Sequence, residues 1–284
     1  MSSSPDSHPQ KPSFSDHRKH KAEEDSVNDA TRLSARLIYE VIRRDGDIEL
    51  TRPLISLFWS GIAAGLLMSL SVLGEATLRT HLPKADWVFL VENAGYSLGF
   101  LVVILGRMQL FTENTITTVL PVVADRSLRK LTQMIRLWAI VLLSNVAGAC
   151  LAAVYMVEGG AFTSDMLQTM SALSNHAVLM GAQESFTRAI PAGVLVAAIV
   201  WMLPSAGAGR FFIILTFTWL IAAGDFTHII AGAVEMWLLV WTGDIELWRA
   251  TRDFFLPVLA GNVIGGTAIF TLLAWGQVKN EVPH

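Results

Sequence analysis

Two long apolar stretches of this sequence are each interrupted by a short polar step that carries ionisable side chains. The first interruption is Leu105–Asn114, with the sequence LGRMQLFTEN, and the second is Ala222–His228, with the sequence AAGDFTH. Each contains a Phe-Thr step, and the two steps begin at Phe111 and Phe226, 115 residues apart. Ionisable groups within apolar segments are costly unless they pair or face a water-filled cavity, so they indicate functional sites.

His228 is the side chain with the most informative chemistry. Its imidazole titrates near neutral pH, so it can share a proton or a hydrogen bond with a passing molecule. Asp225 and Glu113 are candidate carboxylates for stabilising the charged ring. The alternative for His228 is a histidine that bonds between helices. Thr112 and Thr227 are candidate pore-lining hydroxyls, or they satisfy backbone groups that the interruptions free.

Large apolar side chains beside the interruptions are candidates for hydrophobic constrictions, with packing between helices as the alternative: Leu110, Phe111, Ile221 and Phe226. Glu113 could instead pair with Arg107 and lock the first interruption. Glu235, seven residues after His228, could line an outer vestibule or bond a neighbouring subunit.

An Asn-Val-x-Gly step also occurs twice, at Asn145 and at Asn262, 117 residues apart. Polar interruptions at matched positions of a hydrophobic repeat are typical of membrane transport proteins that build a site at the middle of the bilayer. The pattern therefore favours a channel or transporter.

The composition agrees with a membrane protein. Apolar residues make up 52% of the chain, charged residues only 16%, and the mean hydropathy is +0.48. The single Cys150 excludes an intramolecular disulfide. Metal-ligand spacing, a phosphate-binding loop and a nucleophile elbow are all absent from the sequence, which argues against an enzyme, a metal site and a cofactor. Basic residues cluster where membrane topology explains them, so nucleic-acid binding has no support.

The chain divides into four segments. Residues 1–28 are predicted to be a disordered cytoplasmic tail, because they are polar and charged. Residues 29–50 are predicted to be a cytoplasmic segment with an amphipathic helix, whose apolar spacing runs from Ala30 to Arg44 and ends near Asp45-Gly46-Asp47. This helix is expected to lie on the bilayer or beneath the membrane domain. A six-span transport domain over 51–278 and a cytoplasmic tail over 279–284 follow. The spans are expected near 54–74, 88–122, 132–157, 186–204, 211–241 and 254–276.

The second and fifth spans are too long for one straight helix, and they contain the two interruptions. Each is therefore predicted to be two half-helices joined by an unwound loop. Lys and Arg are concentrated on one side of the spans, so both termini are expected to be cytoplasmic. Two three-span halves must then have opposite orientations, which makes the repeat an inverted one. The fold class is thus an all-α membrane protein.

These residues, in this order, resemble the formate/nitrite transporter family over roughly residues 50–278. The resemblance rests on the Gly61-x-x-x-Gly65 step, the loop Leu110-Phe111-Thr112, the steps at Asn145 and Asn262, the run from Val194 to Met202 and the segment Gly224–His228. The charged N-terminal extension and the run Leu-Phe-Thr-Glu-Asn-Thr are similar to a bacterial inner-membrane subgroup.

The resemblance implies an aquaporin-like six-span fold, a homopentamer and one pore per protomer for small monovalent anions of weak acids. It assigns the central histidine and the loop threonine to His228 and Thr112. The mechanism expected from these residues is attraction of the anion by the half-helix N-termini, followed by proton sharing with His228, so that the molecule crosses nearly neutral.

Three positions depart from the family pattern. Gly193 stands where an asparagine is common, Ala177 falls near a usual vestibule lysine, and Glu113 replaces a small residue. These departures keep two other functions open. One is a pore for small uncharged solutes. The other is a non-conducting structural or sensory membrane protein, whose N-terminal helix binds a partner.

Overall fold

The computed structural model describes residues 33–281, and nearly all of that range is helical. The predicted tail over 1–28, the first residues of the predicted N-terminal helix and residues 282–284 lie outside the described range. The helices, in chain order, are α1 Ala35–Leu50, α2 Leu54–His81, α3 Val88–Leu105, α4 Phe111–Thr117, α5 Val119–Asp125, α6 Leu128–Glu158, α7 Ser164–Val178, α8 Ala182–Met202, α9 Arg210–Ala223, α10 Ile229–Thr242 and α11 Leu247–Val278.

Among the described residues, five helices are long and apolar enough to cross a membrane: α2, α3, α6, α8 with the turn that follows it, and α11. Helices α9 and α10 are apolar but shorter. Large apolar side chains such as Trp59, Leu143 and Leu151 are exposed on the outside of the bundle. An apolar exterior of this kind fits lipid or a neighbouring subunit better than water.

The two interruptions have the same backbone course. Gly106 ends α3 and Gly224 ends α9, and the next residues, Arg107 and Asp225, have left-handed φ angles of 53° and 52°. The chain then runs through an extended residue into the next helix, at Leu110 before α4 and at His228 before α10. Each of these pairs is 118 residues apart, so the two halves build the same turn.

The Phe-Thr steps that mark the interruptions in the sequence are therefore not equivalent in the structure. Phe111 is the first residue of the helix after the first interruption, whereas Phe226 lies inside the second one. The equivalent of Phe111 is Ile229. A repeat aligned on the two Phe-Thr steps would have a spacing of 115 residues, which is three fewer than the spacing of the equivalent backbone positions. The turn is fixed by the glycine and the left-handed residue after it, and not by the Phe-Thr step.

Close helix contacts recur in both halves through glycine. A side chain on Gly65 would meet the backbone of Asn145, and one on Gly193 would meet the backbone of Asn262. Gly193 is thus a point of helix contact between α8 and α11, which explains why no larger residue stands there.

Helix α1 packs one apolar face on the bundle. Ile38, Tyr39 and Ile42 form a buried cluster with Ile116, Leu120, Ala197 and Val278. The helix does not end at Asp45-Gly46-Asp47 as expected but continues to Leu50. A side chain on Gly46 would collide with the carbonyl of Thr117, so the glycine permits close packing there instead of ending the helix.

The stretch between the third and fourth spans, predicted as a loop over 158–184, contains the helix α7. The Thr163 hydroxyl accepts a hydrogen bond from the Met166 amide and caps its start. Met166, Met170 and Leu173 are buried against the main core. The segment is too short and too polar to predict a span, and tertiary packing stabilises it as a helix.

Candidate functional site

The two interruptions meet at a hydrogen bond in the interior of the protein. The distance between Thr112 Oγ1 and His228 Nε2 is 2.8 Å, and each residue is 1% exposed. Thr112 belongs to the first turn of α4, and His228 is the extended residue that precedes α10. The structure therefore brings together two side chains that are 116 residues apart in the sequence.

Neighbouring groups determine which nitrogen of His228 carries the proton. Its Nδ1 accepts a hydrogen bond from the Ala231 amide at 3.3 Å, so Nδ1 has no hydrogen. In the neutral ring the hydrogen is then on Nε2, which donates to Thr112 Oγ1. The Thr112 hydroxyl keeps its own hydrogen for a second acceptor. The edge-on ring of Phe100, 4.8 Å away between centroids, packs against the imidazole and holds its orientation.

Two asparagines brace the interruptions in the same way. Asn145 Oδ1 accepts from the Phe111 amide at 2.9 Å, and its Nδ2 donates to the carbonyls of Gly61 and Gln109, each at 2.8 Å. Gln109 and Phe111 lie on either side of Leu110, so Asn145 fixes the unwound turn at this residue.

Asn262 repeats this arrangement in the second half. Its Oδ1 accepts from the Ile229 amide at 2.8 Å, and its Nδ2 donates to the carbonyls of Ala189 and Thr227 at 2.8 and 2.9 Å. The first amide after each interruption is therefore already bonded. An asparagine binds this first amide in each half, and the His228 side chain also caps α10 by accepting from the Ala231 amide.

The carboxylates expected beside the imidazole have other surroundings. Asp225 Oδ1 lies 2.9 Å from His176 Nε2, and Asp225 Oδ2 lies 3.4 Å from Arg188 Nη1. Glu113 has one buried carboxylate oxygen without a hydrogen bond. Arg107 is largely exposed and approaches Asp45 of α1 at 3.9 Å, so the ion pair considered between Arg107 and Glu113 does not form among the described residues.

The apolar candidates divide between the core and a cavity. Leu110, Phe111 and Ile221 are at most 2% exposed, and Phe111 packs edge-on against Trp138 at 5.6 Å. Phe226 and Thr227 line a cavity, and the Thr227 hydroxyl donates to the Ser185 carbonyl at 2.9 Å.

This cavity, here called the distal cavity, has a volume of about 240 Å³ and ends at His228. It lies at the end of the bundle away from α1, since Glu75 and Arg79 near the end of α2 line it. Its ionisable lining, apart from His228, is Glu75, Arg79, Glu92, His176, Asp225 and Glu235. Tyr96, Ala177 and Phe254 complete part of the wall.

Sequence reasoning missed part of this lining. Glu75, Glu92 and Tyr96 all lie inside helices, outside the two interruptions. Glu75 is the one acidic residue of α2, and a lone carboxyl within an apolar span is a signal that would have identified it. Nothing in the sequence indicates that Glu75 lines the same cavity as Glu235 of α10.

The first interruption also contacts α1. Gln109 Nε2 donates to Glu49 Oε2 at 2.8 Å, and the Gln109 amide donates to Ser60 Oγ at 3.0 Å. Asn114 Nδ2 lies 3.2 Å from Gln109 Oε1. The loop beside Thr112 is therefore connected to the N-terminal helix through one glutamine.

Comparisons with known proteins match this architecture. The chain is 41% identical over 258 residues to the Inner membrane protein YfdC of Escherichia coli strain K12, covering 90% of this chain and 83% of that protein. It is 29% identical over 241 residues to the Formate channel FocA of Haemophilus influenzae, covering 76% of this chain and 84% of that protein.

A solved structure described as a pentameric formate channel with formate bound has the same fold. The TM-score is 0.70 at 20% identity, and the match covers 80% of this chain and 98% of that one. The sequence profile of the formate/nitrite transporter family matches residues 36–276. This match covers nearly all of the described residues, so the chain belongs to the formate/nitrite transporter family.

Proposed function

We propose that this protein is a pore for small monovalent weak acids in the bacterial inner membrane, with the Thr112–His228 pair at its narrowest part. The observation that carries the proposal is the buried 2.8 Å contact between these side chains, which joins two unwound interruptions in the interior. Unwound backbone at that depth is tolerated where it surrounds a pathway. The formate channels among the relatives support a weak-acid substrate.

The proposed membrane topology has six spans in two inverted halves. The first half is α2, α3 to α5, and α6, and the second is α8, α9 to α10, and α11. The equivalent turns at Arg107 and Asp225 and the equivalent braces at Asn145 and Asn262 support the repeat. In this topology both termini are cytoplasmic, and the distal cavity faces the periplasm. The pentameric relative and the apolar exterior support a homopentamer.

In the proposed mechanism, the substrate passes the constriction in neutral form and is held there by hydrogen bonds. Moving an anion into a dry passage costs several kcal/mol, because the anion loses its water and has no partner of opposite charge there. The Thr112 hydroxyl hydrogen is a free donor for a substrate oxygen there, and the His228 Nε2 hydrogen becomes a second donor when it turns from Thr112 to the substrate. A neutral imidazole keeps its Nε2 hydrogen, so His228 shares that hydrogen through a hydrogen bond, and the proton that neutralises the molecule is taken up before the constriction. The first amides of α4 and α10 are already bonded, so the helix ends contribute through their dipoles.

Uptake into liposomes tests this function. Purified wild-type protein and the His228→Ala variant are compared with formate, nitrite, lactate and acetate at several pH values, with glycerol and water as controls. Wild-type uptake of a weak acid that rises with acidity and falls about tenfold or more in the variant supports the proposal. Glycerol or water flux without weak-acid flux contradicts it and indicates a pore for uncharged solutes. No flux of any kind contradicts it in favour of a structural or sensory role.

A further inference from the structure

The distal cavity contains more carboxyl groups than it has cations to neutralise. Arg79 pairs with Glu92 at 3.8 Å. His176 and Arg188 both contact Asp225. These contacts leave Glu75 and Glu235, from α2 and α10, without an ion pair among the described residues.

Glu235 is a buried side chain that faces this cavity without a partner. It is 8% exposed and makes no hydrogen bond or ion pair within residues 33–281. Glu75 lies close enough to interact with it electrostatically. Tyr96, 6% exposed, contributes a hydroxyl that has no hydrogen-bond partner in the described structure either. Buried polar groups almost always have partners, so these groups point to a ligand in the cavity.

The ligand of this carboxyl pair, Glu75 and Glu235, must be positively charged or a proton. Two carboxylates that line one small cavity with restricted solvent repel each other, and sharing a proton relieves the repulsion. A metal ion fits poorly, because no group of three or more His, Cys, Asp or Glu residues in the described part of the chain could hold one.

The surrounding groups supply no further cation. The other ionisable and polar groups that line the cavity come from α2, α3, α7 and the second interruption, whereas α11 contributes the apolar Phe254. They are Arg79, Glu92, Asn93, Tyr96, His176, Asp225, Thr227 and His228. Arg79 is the one permanent cation among these lining residues, and it already contacts Glu92.

We propose that Glu75 and Glu235 form a proton-binding pair that protonates the weak-acid anion in the distal cavity, so that the pore admits its substrate from this side as the neutral acid. This inference rests on the function proposed above. The O–H bond of the carboxyl pair breaks, and an O–H bond to the substrate oxygen forms. The pair regains its proton from water at the mouth of the cavity, and the neutral acid moves on to Thr112 and His228.

Glutamine substitutions test the pair in liposomes, with uptake measured against external pH at constant internal pH. Glu235→Gln and Glu75→Gln keep the size and polarity of the side chain but cannot give up a proton. We expect uptake by either variant to fall about tenfold near neutral pH and to approach the wild-type rate in acid, where the neutral acid is already abundant. The matched control is Glu246→Gln, an exposed glutamate in the connection between α10 and α11. Uptake that is unchanged or increased near neutral pH in both variants would overturn the proposal.

Infrared spectroscopy provides a readout that does not depend on transport. Wild-type protein near neutral pH should show the carbonyl band of a protonated carboxyl group, and each glutamine variant should lose part of it. If the wild-type protein takes up no weak acid but shows a carbonyl band that Glu235→Gln reduces, the proposed function is refuted and the proton site is supported. Weak-acid uptake together with a band that neither substitution changes would refute the proton site alone.

Discussion

At the scale of single residues, the orientation of His228 is fixed on three sides. The Ala231 amide occupies Nδ1, Thr112 accepts from Nε2, and Phe100 packs on the ring. In a neutral imidazole held in this way, the one ring hydrogen is on Nε2 and points at Thr112. The Thr112 hydroxyl thus determines where that hydrogen points.

Replacing Thr112 by valine keeps the shape of the side chain and removes the hydroxyl. The His228 Nε2–H then has no acceptor, and the pathway loses a donor, so we expect weak-acid flux to fall about tenfold, the equivalent of one hydrogen bond of about 1.4 kcal/mol. Flux in liposomes measures this effect, with Thr112→Ser as the control that keeps the hydroxyl. Equal flux in the valine variant would show that Thr112 serves only to pack α4.

The residue scale also shows how far the sequence could predict the site. His228 and Thr112 were predicted because they interrupt apolar stretches, and the structure places them in contact. Glu75 and Tyr96 could not be linked to Glu235, since residues of three separate helices share a cavity only after folding. Asp225 was expected next to His228, but its backbone turn directs the carboxylate to His176 and Arg188.

At the scale of elements, the two interruptions have the same backbone turn in each half of the chain. The expected positions of the breaks were correct to within a few residues, because length and hydropathy determine them. The register between the halves was wrong by three residues, because it depends on backbone geometry at Gly106 and Gly224 that side-chain types do not reveal. The recurrence of Asn145 and Asn262 was visible in the sequence, but their function as braces was not.

The braces give a prediction for stability. Substituting alanine for Asn145 removes three buried hydrogen bonds at about 1 kcal/mol each, so the protein should lose about 3 kcal/mol of unfolding free energy. This corresponds to a midpoint of thermal unfolding lower by roughly 10 °C in detergent. Asn262→Ala should have the same effect, because its three bonds are equivalent.

The matched control for both variants is Asn175→Ala in α7. Asn175 Nδ2 makes one bond, to the carbonyl of Ser171 within the same helix. The control should therefore shift the unfolding midpoint by much less. Comparable shifts for all three variants would mean that the braces do not hold the interruptions.

Helix α1 is an element whose contacts should persist over the whole physiological pH range. The hydrogen bond from Arg43 lowers the pKa of Glu40 to about 2, even though partial burial opposes this effect. A lowered pKa stabilises the folded state above the ordinary carboxyl pKa, and this contribution is lost only as the pH falls towards 2. The contact between Glu49 and Gln109 connects this helix to the first interruption. The Glu40–Arg43 pair therefore does not contribute to a change of weak-acid flux between neutral and mildly acidic pH.

At the scale of the whole molecule, the side of the membrane that the distal cavity faces determines the direction in which its carboxyl pair acts. Residue 161, between α6 and α7, lies at the same end of the bundle as the cavity, because α7 contributes His176 to the cavity wall. Residue 208, between α8 and α9, lies at the other end, near α1. The positive-inside distribution of Lys and Arg predicts that the cavity faces the periplasm.

Cysteine labelling checks this orientation in a Cys150→Ser background, which removes the one native cysteine. A membrane-impermeant maleimide should label Ala161→Cys from the periplasmic side of intact inner membranes, and it should label Ala208→Cys only after lysis. Both positions are exposed, so access to the reagent decides the result. The reverse pattern would place the carboxyl pair on the cytoplasmic side. It would then protonate anions that leave the cell, and the acid dependence of flux would follow the internal pH instead of the external pH.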